Sequence, residues 1–80
     1  MEPLSAQNEP PPLDLRGIRC PLNWARAKVH LESLDPGARL AVWIDDPRAV
    51  DNLPRAAEAS GHAVIAIVKL ADGWSIELER

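Results

Sequence analysis

The chain has 80 residues, a formal net charge of −3 and a hydrophobic fraction of 46 %, values that suit one small globular domain. Its single cysteine, Cys20, excludes an intrachain disulfide. The acidic charge disfavours nucleic acid as a partner, because nucleic-acid binders carry a concentrated basic face. There is no run of ~20 apolar residues that would span a bilayer, and no signal-peptide pattern. We therefore expect a cytoplasmic protein that does not associate with membranes.

The first twelve residues form a proline-rich segment without hydrophobic periodicity. Pro3 and the run Pro10-Pro11-Pro12 are separated by polar residues. Consecutive prolines favour an extended chain that cannot join the centre of a sheet. The sequence therefore predicts a disordered tail over residues 1–12 and a folded domain over residues 13–80.

A short extended segment and a helix are predicted at the start of the domain. Residues 13–18 favour an extended chain, and Gly17 permits a turn. One helical face is indicated by four apolar residues that recur three or four positions apart: Trp24, Ala27, Leu31 and Leu34. The predicted helix runs from about Pro21 to about Leu34 and ends at Asp35-Pro36-Gly37, where proline cannot continue it and glycine permits the turn.

Cys20 lies at the predicted junction between the extended segment and this helix. Proline is favoured at the first helical position, so Pro21 there would make Cys20 the capping residue. Its sulfur would then lie near unpaired N–H groups and the positive end of the helix dipole, which favour thiolate over thiol. Arg16 and Arg19 add positive charge nearby. Because thiolate is the nucleophilic form of cysteine, Cys20 is a candidate for sulfur chemistry.

The middle of the chain predicts a buried strand and a second helix. The apolar run from Leu40 to Ile44 fits a central strand buried on both faces. Asp46 can cap the helix that follows, with Pro47 at its first position. Because Pro54 removes an N–H from that helix, we expect a loose first turn and a regular helix only from about Leu53.

The last part of the chain predicts a β-hairpin. Residues 63–70 and 74–78 favour strands, and Ala71-Asp72-Gly73 suits the turn between them. The order is β-α-β-α-β-β, an α+β two-layer sandwich in which a four-stranded mixed sheet carries both helices on one face. The residues that we expect to be largely buried are Leu15, Trp24, Ala27, Leu31, Val42, Ile44, Leu53, Ala57, Val64, Ile67 and Ile76.

The segment Leu13-Asp14-x-x-Gly17-Ile18-Arg19-Cys20-Pro21 resembles the opening motif of the TusA/SirA/YedF family of small sulfur-carrier proteins. Pro36-Gly37, Asp45-Asp46-Pro47 and Gly61-His62 match the family in order and spacing. The likeness covers residues 13–78. It implies the β-α-β-α-β-β sandwich that is also found in the C-terminal domain of translation initiation factor three.

The resemblance also implies a role for Cys20. This residue would accept sulfane sulfur as a persulfide from a donor protein, of cysteine desulfurase or rhodanese type, and pass it to an acceptor protein. Arg19, Pro21, Asn23 and Arg16 are the candidates for supporting the persulfide anion or for binding these partners. Asn23 stands where the family motif Cys-Pro-x-Pro has its second proline, and its side chain can donate a hydrogen bond to sulfur or to an anion.

A carrier of this kind needs no cofactor, and nothing in the sequence requires a dimer, so we expect a monomer. Whether it counts as an enzyme is open, because its partners would perform the demanding chemistry. His30 and His62 lack a second metal-type ligand at suitable spacing, so no metal site is predicted. A non-catalytic interaction or regulatory module of the same fold is the alternative. RNA binding, by analogy with the initiation factor, has only the fold in its favour.

Overall fold

The computed structural model describes residues 11–80. Ten of the twelve residues of the predicted tail lie outside this range. The elements are β1 (Leu13–Asp14), α1 (Leu22–Glu32), β2 (Arg39–Ile44), α2 (Pro47–Ala59), β3 (Ala63–Leu70) and β4 (Gly73–Glu79). The strands form one sheet in the order β1-β2-β4-β3. The β1–β2 pair is parallel and the other two pairs are antiparallel, which confirms the predicted four-stranded mixed sheet.

The core lies between the two helices and one face of the sheet. Burial alternates along β2, where Leu40, Val42 and Ile44 are buried. Across the ladder, Leu40 pairs with Leu78 and Val42 with Ile76, which are also buried. The helices contribute the buried residues Ala27, Leu31, Ala49, Leu53 and Ala57. The helices therefore cover the same face of the sheet, as predicted.

The second face of β2 corrects the expectation of a strand buried on both sides. Ala41 and Trp43 are only half-buried, because within residues 11–80 both helices lie on the opposite face. The guanidinium carbon of Arg16 lies 5.1 Å from the centre of the Trp43 ring. This cation–π contact gives Trp43 partial cover on the open face.

The segment after β1 turns earlier than predicted. The strand ends at Asp14, although the N–H of Leu15 still donates to the carbonyl of Trp43 at 2.8 Å. Gly17 has a φ of +87°, a left-handed conformation that suits glycine. The N–H of Ile18 closes the turn on the carbonyl of Leu15 at 3.1 Å. The chain is therefore extended over a shorter stretch than residues 13–18.

Helix α2 is regular from its first turn, contrary to prediction. It contains Pro54 and yet extends from Pro47 to Ala59. Proline removes one hydrogen bond from the helix interior. The cap at Asp46 and the buried positions Ala49 and Leu53 stabilise the first two turns.

The β3–β4 hairpin forms where predicted and puts β3 at the edge of the sheet. A Cβ on Gly73 would collide with the carbonyl oxygen of Ile44, which explains glycine at the start of β4. Ile67 was predicted to be buried but is 47 % exposed, because an edge strand has no neighbour on its outer side. Trp24 and Val64 are half-buried rather than buried.

Candidate functional site

Cys20 lies in the turn between β1 and α1, and its side chain is partly exposed. Pro21, joined to it by a cis peptide bond, is the N-cap of α1 and makes no side-chain capping bond. The carbonyl of Pro21 accepts the N–H of Ala25 at 3.1 Å. The predicted arrangement, with Cys20 as cap and Pro21 as the first helical residue, is therefore wrong by one position, because the first helical hydrogen bond already ends on Pro21.

Two adjacent carboxylates hold the loop that carries Cys20. Asp45 Oδ1 accepts the N–H of Gly17 at 2.9 Å, and Asp46 Oδ2 accepts the N–H of Cys20 at 3.0 Å. These bonds join the turn before α1 to the turn before α2. The position of the cysteine backbone is therefore tied to the start of the second helix.

Asp46 also caps α2, as the sequence predicted. Its Oδ1 accepts the N–H of Arg48 at 3.0 Å, so one side chain serves two backbone donors. The N–H of Cys20, and next the N–H of Arg48, hold the pKa of Asp46 below its ordinary value. The link to Cys20 was not foreseen from the sequence. The acidic pair directly after a buried strand was the available signal, and it was interpreted only as a cap.

Asn52 of α2 contacts the sulfur atom. Its Nδ2 donates to Cys20 Sγ at 3.9 Å, within hydrogen-bonding distance for the large sulfur acceptor. Its neighbour Leu53 is buried, whereas Asn52 itself is exposed. Nothing in the sequence marked Asn52, because the contact depends on how α2 lies beside the Cys20 loop.

A shallow depression of about 510 Å³ adjoins the cysteine loop. The loops preceding the two helices line it, through Gly17, Ile18, Arg19, Asp45, Asp46, Pro47 and Arg48. Arg19 is exposed and directly precedes Cys20, so its charge is available to an approaching anion. A larger open groove of about 660 Å³ lies between β1 and α1, and Cys20 does not line it.

Arg16, in the turn after β1, is held by two ion pairs. Its guanidinium forms ion pairs with Asp14 at 2.8 Å and Asp72 at 2.9 Å, so it links β1 to the β3–β4 hairpin. The hydrogen bonds from Arg16 lower the pKa of Asp14 to about 2. These contacts give Arg16 a structural function in addition to any role in partner binding.

Asn23 is fully buried in the first turn of α1. Its Nδ2 donates to the carbonyl of Ile18 at 3.4 Å, and its Oδ1 accepts the N–H of Trp24 at 2.7 Å. The side chain thus joins α1 to the Cys20 loop. The expected donation to sulfur or an anion is not observed, because the amide is directed at backbone groups.

Within residues 11–80, no three His, Cys, Asp or Glu side chains come together as a metal-binding group. His62 is placed against Glu32, with Nε2 3.5 Å from the carboxylate.

No helix in the described range has the length and apolar character needed to cross a membrane. The chemically reactive group of the site is thus the thiol of Cys20, with two carboxylates and one amide placed around it by α2 and its preceding loop.

Comparisons with known proteins identify the family of the chain. The family model described as sulfurtransferase TusA matches residues 12–80. A protein of Archaeoglobus fulgidus, provisionally named a sulfur carrier protein, is 38 % identical over 69 residues, covering 85 % of this chain and 78 % of the relative. A Thermotoga maritima protein with the same provisional name is 34 % identical over 68 residues, covering 84 % of this chain and 86 % of the relative.

A solved structure is similar to the fold as a whole. The crystal structure of a SirA-like protein from Desulfitobacterium hafniense superposes with a TM-score of 0.72 at 26 % identity, covering 84 % of this chain and 92 % of that one. The names of the relatives support a role in sulfur carriage. The family match, the two relatives and the common fold confirm the resemblance seen in the motif around Cys20, and the chain belongs to the TusA/SirA family.

Proposed function

We propose that this protein holds sulfane sulfur as a persulfide on Cys20 and relays it from a donor protein to an acceptor protein. The observation that carries the proposal is the partly exposed residue Cys20 on a loop whose backbone is fixed by Asp45 and Asp46. A carrier needs a thiol that partners can reach and that stays in one place. Both requirements are met at this position.

Two positive features next to Cys20 favour the reactive form of its sulfur. The residue lies two positions before α1, at the positive end of the helix dipole, and the first turn of α1 contains no acidic residue. Arg19 adds a positive charge directly beside it. These groups stabilise a thiolate and, after loading, the anionic end of a persulfide. Arg19 and Pro21 are accordingly the neighbours that we assign to persulfide support and partner contact.

The loading step is a sulfur transfer without net oxidation or reduction. The Cys20 thiolate attacks the terminal sulfur of a protonated persulfide on the donor, and a new S–S bond forms as the donor's own S–S bond breaks. The donor leaves as a thiolate with the electron pair of the broken bond. The transferred sulfur keeps its proton until the solvent removes it. Delivery to the acceptor is the same exchange in reverse, with the acceptor as nucleophile.

The donor that fits this chemistry is a protein that carries a cysteine persulfide, as enzymes of the cysteine desulfurase or rhodanese type do. We place the relay in the cytoplasm, where a lone thiol remains reduced and available. Arg16 and Asn23 then contribute through the loop, because Arg16 braces it against Asp72 and Asn23 binds the carbonyl of Ile18.

Sulfur loading followed by intact mass measurement tests the proposal. The protein is incubated with a cysteine desulfurase and cysteine, and separately with a rhodanese and thiosulfate. We expect a mass gain of one sulfur atom on Cys20 that a thiol reductant removes, and loss of this sulfur when a partner with a free catalytic cysteine is added. A protein that gains no sulfur from either donor would instead be the non-catalytic interaction module of the same fold.

A further inference from the structure

Asn52 supplies a hydrogen-bond donor to the sulfur itself. Its Nδ2 lies 3.9 Å from Cys20 Sγ. Within residues 11–80 no other side chain donates a hydrogen bond to this atom. Asn52 comes from α2, the helix whose N-cap also holds the N–H of Cys20. The second helix therefore fixes both the backbone and the sulfur of the same residue.

The hydrogen bond from Asn52 can offset the effect of a nearby negative charge on the sulfur. The Asp46 carboxylate that binds the Cys20 N–H brings a negative charge close to the cysteine, and a nearby like charge disfavours an anionic sulfur. The amide of Asn52 is neutral at every pH and only its N–H groups can donate. A hydrogen bond to an ionised acceptor is stronger than the same bond to a neutral one. The Asn52 contact therefore stabilises thiolate more than thiol.

We infer that Asn52 is a positioning residue, which stabilises the anionic form of the Cys20 sulfur for attack on the donor persulfide. The inference rests on the proposed function, since it concerns the same sulfur. Asn52 is exposed, whereas the core positions of α2 are Ala49, Leu53 and Ala57. Its side chain is thus not part of the hydrophobic core, and its replacement leaves the packing of the helix unchanged.

The other charged groups that contact the Cys20 loop or belong to it are carboxylates and guanidinium groups. They are Arg19 on the loop, Asp45 and Asp46, which accept its N–H groups, and Arg48, which pairs with Asp46. Carboxylates and guanidinium groups do not titrate between about pH 6 and pH 10. A change of thiol reactivity with pH in that range therefore reports on the sulfur and its immediate contacts.

The test is the rate of Cys20 alkylation by iodoacetamide as a function of pH, in the wild type, Asn52→Ala and Asn52→Asp. We expect the midpoint of the profile to move up by about half a pH unit in Asn52→Ala, so that alkylation near neutral pH slows about three-fold. Asn52→Asp should move it further, because the donor is replaced by a negative charge. Thermal unfolding of each variant verifies that the fold is retained.

Asp51→Asn is the matched control. It replaces a carboxylate by an amide, the reverse of Asn52→Asp, at an exposed neighbouring residue that forms an ion pair with Arg55. The control therefore changes the charge of α2 without altering a contact to Sγ. Its midpoint should move slightly, and in the opposite direction. An Asn52→Ala profile that superposes on that of the wild type would overturn the inference.

Sulfur loading from inorganic polysulfide separates this role from a purely structural one. Loading of Asn52→Ala should be slower near neutral pH and should return to the wild-type rate above the alkylation midpoint, where both proteins are thiolate. A loading defect that persists at high pH would contradict the inference. The two proposals fail differently, because alkylation needs no sulfur donor: a wild type that takes up no sulfur overturns the proposed function, and an unchanged alkylation profile overturns the role of Asn52.

Discussion

The starts of the two helices have similar sequences, Cys20-Pro21 before α1 and Asp46-Pro47 before α2, but they are built differently. Asp46 caps α2 through the N–H of Arg48, and Pro47 is the first helical residue. At α1 the N-cap is Pro21, without a side-chain capping bond, and Cys20 lies one residue further out. Asp46 thus stabilises the start of α2 with its side chain, whereas the side chain of Cys20 makes no capping bond at the start of α1.

The two helix starts are also connected: Asp46 of the α2 start binds the α1 start, and the Cys20 side chain makes no such contact in return. The capping carboxylate of α2 extends a second hydrogen bond to the N–H of Cys20, while the Cys20 side chain caps neither helix. The start of α2 thus also supports the start of α1. This comparison teaches that a similar sequence signal can form a side-chain cap in one place and none in another, and that contacts across the chain decide between them.

The largest effect is expected from Cys20→Ser, which tests whether the start of α1 is the functional one. Serine cannot carry sulfane sulfur, so sulfur loading by either type of donor should be lost completely. The melting temperature should stay close to that of the wild type, because the sulfur makes no capping bond and the N–H to Asp46 is retained. Intact mass after loading and thermal unfolding measure the two properties. A serine variant that still relayed sulfur from donor to acceptor would contradict the carrier function.

The next effect is expected from Asp46→Ala, which removes the support shared by both starts. Loss of the α2 cap and of the acceptor for the Cys20 N–H should lower the melting temperature by roughly 5–10 °C. Thermal unfolding followed by circular dichroism at neutral pH measures this change. A melting temperature equal to that of the wild type would mean that the carboxylate does not stabilise the two turns.

The pH dependence of the stability of Asp46→Ala shows whether the ionised carboxylate of Asp46 causes the stabilisation. Because the folded-state pKa of Asp46 is lowered from 3.8, its contribution is fully present above that value and is lost as the pH falls through the lower folded-state pKa. The difference in stability between the wild type and Asp46→Ala should therefore be constant from about pH 5 to pH 7 and shrink below about pH 4. The Asp14–Arg16 pair is present in both proteins, so its own titration cancels. A difference that is unchanged at pH 3 would contradict this account.

A loss of stability of similar size is expected from Asn23→Ala, which tests how the start of α1 is held without a side-chain cap. The carbonyl of Ile18 would lose its donor and the N–H of Trp24 its acceptor, in a buried position where such a loss costs about 1–2 kcal/mol. Urea unfolding measures the change. Leu22→Ala, at a neighbouring position that is 55 % exposed, is the control and should be nearly neutral. Equal effects at both positions would show that the buried amide contributes nothing specific.

The smallest effect is expected from Arg48→Ala, which separates the backbone contact of Asp46 from its ion pair. The Arg48 guanidinium lies 3.7 Å from Asp46, and its side chain is 73 % exposed. Because the guanidinium is solvated, this pair contributes little, and the free energy of unfolding should change by less than about 0.5 kcal/mol. The backbone N–H that forms the cap is unaffected. Urea unfolding of this variant next to Asp46→Ala makes the comparison, and a loss as large as that of Asp46→Ala would assign the stabilisation to the ion pair.

Much of the fold was predictable because it depends on local patterns. The cap at Asp46, the buried face that includes Leu31 and Leu53, and the turn before Gly73 were all inferred from short stretches of sequence, and the structure agrees with them. The exposure of Ile67 was not predictable in this way. It follows from the position of β3 at the sheet edge, and strand order is not encoded in the apolar pattern of one strand.

The sequence predicted the central residue of the candidate site but not its surroundings. The motif around Cys20 pointed to this residue, which is partly exposed, and Arg19 beside it is exposed. The contacts of Asp46 and Asn52 with Cys20 join residues 26 and 32 positions apart, and such contacts depend on how α2 packs beside the first loop. Asn23 was considered a possible donor to sulfur or to an anion, and its amide binds backbone groups; a local motif does not reveal which way a side chain is buried.

The anchoring of Gly17 and Cys20 to Asp45 and Asp46 has a consequence for the traffic of sulfur between proteins. The sulfur stands on a fixed base and not at the end of a swinging arm, so a persulfide extends its reach by only one S–S bond, about 2 Å. In the proposed relay, each partner therefore brings its own reacting sulfur to this surface, and donor and acceptor occupy it in turn. A spent partner has to dissociate before the next one binds, so its dissociation rate sets an upper limit on the rate of transfer.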